Sequence, residues 1–277
     1  MNKGRLHQFI GEELSIWWVM IGIILYLYGF FLRLEIFDES YIRALTINQW
    51  DIVFSLLNDI YLHIFIIQIA LLFMSIKIIH KNTSDFIIFR AGNYKKWMLI
   101  TLKEFIFKTI ILICLLFIVN LLLIIGVPKS LGWSVFALGE GVNDHATAIL
   151  SVYVTPPIWA LILHLILLGI NYSLCHLLLS LIYLIFKNIF YSIGLAVFIW
   201  LLSVISFNWF NGNFAFLTMA NFFSLSYGTN SYDNIYSPVI VILIYFVFTL
   251  GIYLFVDINF KRVFFKLEMK RKRSYHD

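Results

Sequence analysis

Six runs of about twenty apolar residues constrain this chain more than any motif in it. A helix of that length crosses the hydrocarbon core of a bilayer, about 30 Å thick. Lipid offers an unpaired backbone no partner, so each run reads as a transmembrane helix. The runs are 15–34, 52–79, 105–127, 158–185, 189–207 and 239–256. Composition agrees: 62% of the 277 residues are hydrophobic and 13% charged, against about 45–50% and about 25% in soluble domains. Ten-residue segments of alternating hydrophobicity, the mark of a membrane β-barrel, do not occur. Glu12 and Glu13 precede the first run, and Arg33-Leu34-Glu35-Ile36 follows it without a small-residue cleavage pattern, so it reads as a retained span. The expected fold is all-α, a single transmembrane domain over 1–277 with six helices. Its fourth and fifth spans are joined by the tight hairpin Phe186-Lys187-Asn188.

Charge sets the orientation. Placing both termini, the 80–104 loop and Lys187 on one side collects seventeen Lys and Arg there and leaves Arg33, Arg43 and Lys129 on the other. That imbalance predicts cytoplasmic termini. The net charge of +5 then belongs to basic loops and to the basic tail 257–277, with its Lys270-Arg271-Lys272-Arg273 cluster, facing anionic lipid. No nucleic-acid partner is expected. Tyr26, Tyr28, Trp133, Tyr153, Trp209 and Tyr236 fall near the outer boundary, as an aromatic belt requires. The outer loops 35–51, 128–157 and 208–238 are too short for a large folded ectodomain.

Soluble chemistry leaves no signature. GxxxxGK[ST], HExxH and GxSxG are all absent. Cys114 and Cys175 lie in apolar runs and supply neither a disulfide scaffold nor a CxxC site. The chain is expected to be no enzyme and to carry no metal or cofactor of its own. Polar residues inside spans are costly in hydrocarbon and face protein or water. Asp59 and His63 are four apart and pair across one turn if the helix is regular. Gln68 lies deeper, and Asn120 sits in the third span. His164 and Asn171, seven apart, share a face of the fourth span, with Cys175 continuing the stripe and His176 beside it. One reading is interhelical hydrogen bonding, worth about 0.6 kcal/mol each. The other is a cavity lined by His63, Gln68, Asn120, His164 and Asn171; so sparse a polar lining suits an amphipathic or lipid-like cargo better than an ion.

The loop between the second and third spans carries the clearest pattern. Thr83, Ser84 or Asp85 caps a short helix that Gly92-Asn93 ends, and Lys95, Lys96 and Trp97 begin an amphipathic lead into span three. The bland alternative is a basic loop at the lipid surface. The segment Arg90-Ala-Gly-Asn-Tyr-Lys-Lys-Trp97, in a six-span chain without a nucleotide site, resembles type-2 ATP-binding cassette exporter permeases. Its pattern resembles small permeases of low-GC Gram-positive bacteria, often linked with peptide export or peptide immunity. The likeness covers the whole topology, but its motif is about a dozen residues long.

The resemblance implies a coupling helix within 82–97. Phe86, Phe89, Arg90, Gly92, Asn93, Lys95, Lys96 and Trp97 would meet a separate ATPase subunit there. It further implies two ATPase copies holding ATP and Mg, a second permease chain (the same or homologous), membrane lipids as neighbours, and a bacterial plasma-membrane location. The implied cargo is an amphipathic peptide or lipid-like toxic compound. Residues 1–14 resemble the family's interfacial helix, with Leu6, Phe9, Ile10 and Leu14 at i, i+3, i+4 and i+8. One departure is the polar 228–238 segment, which lacks a re-entrant apolar hairpin, although 214–225 supplies a short one. Two other classes stay open: a stand-alone six-span immunity or lipid-binding protein without ATP, and an intramembrane enzyme. For the enzyme, the Glu12-Glu13 pair lacks its basic partner.

Overall fold

The computed structural model describes residues 16–83, 94–139, 146–209 and 223–232, with 243–244, 246–252, 254–256 and 258 in the last apolar run. Regular structure among these residues is helical throughout. In chain order the helices are α1 (Ile16–Ile42), α2 (Gln49–Asn58), α3 (Ile60–Lys81), α4 (Tyr94–Leu123), α5 (Val135–Leu138), α6 (Ala146–Tyr153), α7 (Pro157–Phe186), α8 (Ile189–Trp209), α9 (Leu225–Tyr232) and α10 (Phe246–Val256). Five of them, α1, α3, α4, α7 and α8, are long and apolar enough to cross a membrane. The chain is a multi-pass α-helical membrane protein. The expected sixth span, 239–256, falls partly outside the described residues, as do the 1–14 segment and nearly all of the 257–277 tail.

Helices and apolar runs do not share boundaries. The first run ends at 34, yet α1 continues to Ile42, because Glu35, Asp38 and Glu39 are tolerated in a helix and Glu39 pairs with Arg43 at 2.8 Å one turn on. The helix of the third run, α4, starts at Tyr94, well ahead of 105, and absorbs Lys95, Lys96, Lys103 and Glu104. The second run, expected as one helix over 52–79, is two. Asp59 is extended (φ −66°, ψ 117°) and ends α2, while its carboxylate accepts from Leu62 N–H at 2.7 Å and from the Tyr28 hydroxyl at 2.8 Å. Aspartate competes in this way with the helical backbone for hydrogen bonds. Asp59 and His63 therefore do not lie one turn apart on a single regular helix, and α3 opens with a π-helical turn at His63–Ile67.

The chain divides into two units, one formed by 1–62 and 110–161, the other by 63–109 and 162–277. In the first unit α1 meets α4 at its glycines. An added Cβ would stand 3.1 Å from Leu115 Cδ1 at Gly22 and 2.5 Å from Leu123 Cδ1 at Gly29, so the two helices run in the same direction. The loops of this unit are organised by Asp51. Its carboxylate closes a capping box with Asn48, accepting from Asn48 N–H at 2.8 Å, and takes the Ser134 hydroxyl at 2.9 Å. Gln49 N–H donates to Pro128 O at 3.1 Å and Phe136 N–H to Thr46 O at 3.0 Å, tying 46–49 to 128–136. Trp133, expected in the aromatic belt, instead donates its indole N–H to Val154 O at 2.9 Å and packs on Phe54.

The core of the second unit holds Ile79, Trp97, Met98, Leu167, Leu177, Leu179, Tyr183 and Leu184. Here α7 runs parallel to α3, with His63 beside His164 and Ser75 on His176. It runs antiparallel to α4, with Trp97 on Tyr183 and Phe105 on His176. The α7–α8 hairpin forms as expected. Lys187 takes the left-handed conformation that terminates α7 (φ 53°), and Asn188 Oδ1 caps α8 through Phe190 N–H at 3.0 Å.

Candidate functional site

Two groups of side chains in the second unit combine chemistry with position. The first clamps the ends of the helices on either side of the 84–93 connection. Trp97 is fully buried, and its indole N–H donates to Asn82 O at 2.7 Å. Glu104 receives the Lys81 ammonium at 2.9 Å on one oxygen and the Asn82 amide at 3.0 Å on the other. Asn82 also donates to Ile78 O at 2.9 Å. The end of α3 and the first three turns of α4 are thus fastened by one buried and two partly exposed polar contacts. The same place is tied to the α7–α8 hairpin. The Trp97 ring packs on Tyr183 at 5.7 Å, and Lys187 Nζ lies 3.8 Å above the Tyr94 ring, a cation–π contact that needs no counter-ion.

Of the residues expected to meet an ATPase, Phe86, Phe89, Arg90, Gly92 and Asn93 lie outside the described residues. Lys95 is half-buried and Lys96 exposed on the first turn of α4, while Trp97 points into the core. Trp97 holds the base of the connection from inside. The sequence reading did not single out Tyr183, Lys187 or Glu104 as partners of this segment. The usable signal was weak: an aromatic or cationic residue at each of three helix ends expected on one side.

The second group is a polar stripe. His63 and His164 are wholly buried, their rings 5.9 Å apart, and Phe223 packs on His63 at 5.4 Å. The Leu225 N–H points at His164 Nδ1 at 3.4 Å, which makes Nδ1 the acceptor and puts the ring proton on Nε2. Gln68 donates to the Ser203 hydroxyl at 2.9 Å, while its Oε1 is buried without a hydrogen bond. Twelve residues along both α3 and α7, Ser75 Oγ lies 2.8 Å from His176 Nδ1, with Phe105 stacked flat on the imidazole at 4.6 Å. Asn171 is buried on α7. The structure thus brings His63 and His164 together. Asn120 belongs to the first unit and donates to Leu116 O of its own helix at 3.0 Å. The Ser75–His176 pair went unforeseen, because nothing local in the sequence aligns α3 with α7. Gln68–Ser203 and Ser75–His176 are interhelical hydrogen bonds of the kind that hold membrane helices together. Among the described residues, no three or more His, Cys, Asp or Glu side chains group as a metal ion would need.

Compared with known proteins, the chain matches no family model, no curated protein and no solved structure.

Proposed function

We propose that this chain is the permease subunit of a type-2 ATP-binding cassette exporter, moving an amphipathic peptide or lipid-like compound out of a bacterial cell. A separate ATPase subunit, present in two copies with ATP and Mg, supplies the energy, and a second permease chain completes the pore. The observation that supports this reading is the clamp at Lys81, Asn82, Trp97 and Glu104. A connection that receives a displacement from a bound subunit must be mounted stiffly, or the motion is lost before it reaches the membrane helices. Here the mount is a buried indole and a shared carboxylate, and α4 continues from it as one helix to Leu123. In this reading both termini and the 82–97 segment face the cytoplasm of a bacterial plasma membrane, where the Lys and Arg excess stabilises them.

Purification of the tagged chain from its own membrane is the first test, and an ATPase subunit is expected to accompany it. In the reconstituted complex Phe89→Asp or Arg90→Glu abolishes cargo-stimulated ATP hydrolysis while the permease still inserts and folds. Normal turnover with Phe89→Asp removes the assignment. A chain that never retains an ATPase is instead the stand-alone membrane protein.

A further inference from the structure

The described residues between α4 and α7 leave apolar side chains exposed as well as buried. In α6 the protein covers Thr147, Ala148 and Leu150. Thr147 is buried and bonded to Asp51, and Ser151 donates to Ala137 O of α5 at 3.2 Å. Val152, next along, is 76% exposed. The α5 sequence Val-Phe-Ala-Leu has no polar face. The protein covers Phe136 and Ala137, and leaves Val135 and Leu138 exposed, Leu138 at 66%. Leu131, in the turn before α5, is 91% exposed. A surface helix in water turns polar side chains outward; here Leu131, Val135, Leu138 and Val152 stand exposed instead, and an exposed apolar cluster outside a span marks a surface that something covers.

The level of this segment relative to the membrane follows from α1. The run 15–34, about twenty residues at 1.5 Å each, uses up the hydrocarbon core near Leu34. Residues 38–42 of α1 then stand in the headgroup layer, where Asp38, Glu39 and Arg43 find water. Leu45 N–H bonds Ser40 O, Phe136 N–H bonds Thr46 O and Gln49 N–H bonds Pro128 O, each at 3.0 or 3.1 Å. Leu131 and α5 are therefore held within a few residues of the emerging end of α1, whose Tyr41 and Ile42 are also exposed.

We infer that α5 and α6 are interfacial elements, lying in the outer headgroup layer with Leu131, Val135, Leu138 and Val152 inserted among lipid acyl chains. The occupant of the surface is the bilayer itself. The proposal stands independently of any ATPase partner. Single spin labels at Leu138→Cys and Val152→Cys, in a Cys114→Ser, Cys175→Ala background of the full chain in phosphatidylcholine–phosphatidylglycerol nanodiscs, test it. Oxygen, which partitions into lipid, is expected to relax both labels several-fold more than a water-soluble nickel chelate does, as at the reference position Phe117→Cys on the exposed face of α4. Val135→Cys repeats the measurement should either variant fold poorly. Nickel collisions dominating at these positions overturn the proposal. So do labels shielded from both agents in samples that cross-link as dimers, because a second copy would then be the cover.

Discussion

Asp51 lies outside the five spanning helices and is the shared acceptor for Asn48, Ser134 and Thr147. Burial raises its carboxyl above the ordinary value, and the hydrogen bonds from Asn48, Ser134 and Thr147 offset this only in part. A folded-state value above the unfolded one means that the folded protein holds the proton more tightly. The group then contributes stability at low pH and loses it as pH rises through the raised value. Acidification from neutral pH should therefore favour the wild type over Asp51→Asn, read as the difference between their melting temperatures in detergent. A difference that moves the other way would refute the assignment. Asp51→Ala strands the Asn48 N–H and the Ser134 hydroxyl and is expected to cost about 1–3 kcal/mol. At the other clamp, Trp97→Phe keeps a ring against Tyr183 but removes the donor to Asn82 O. The loss of about 1 kcal/mol lowers the melting temperature by about 2–4 °C, while Trp97→Ala, which also empties a buried aromatic site, costs about 3–5 kcal/mol.

At the scale of helices, close approach is set by glycine where the partner presents leucine. A Cβ at Gly29 would press on Leu123, a side chain 1% exposed with little room to turn, whereas nothing lies within 4 Å of the Cβ position at Gly169 of α7. Gly29→Leu is expected to destabilise by about 1–3 kcal/mol through overpacking. Gly169→Ala is expected to stabilise by about 0.5–1 kcal/mol through helix propensity. Paired thermal melts check both, and equal effects would mean that α1 does not sit on α4 as described. Hydropathy located the five helices long and apolar enough to cross a membrane but missed the helix ends. A span ends where lipid ends, while a helix ends where a cap or a competing side chain stops it. Asn48 with Asp51 starts α2 ahead of the second apolar run, and Asp59 stops it inside that run. Where capping chemistry stood at the run's own edge, as at Lys187-Asn188, the boundary was legible.

For the whole molecule, the charge asymmetry makes a prediction of its own. A membrane-impermeant thiol reagent added to intact cells should label Lys129→Cys and spare Asn188→Cys, with the order reversed in inside-out vesicles; the opposite result would invert the topology. The apolar runs and the lysine imbalance by themselves determined that this chain is a multi-pass helical membrane protein, because transfer into lipid depends on the sum of a local stretch and needs no partner. The same local logic drew attention to His63, Gln68, Asn120, His164 and Asn171 as polar groups out of place in hydrocarbon. Only the tertiary structure decided what each of them meets. His63 turns to His164, Gln68 to Ser203 and Asn120 to its own helix, and Ser75 finds His176 a hundred residues away. Only tertiary structure, too, turned Trp97 inward and the polar face of α6 toward Asp51. Which helices pack together, and in what register, depends on shape and on hydrogen bonds between side chains distant in sequence, and no local stretch contains that information.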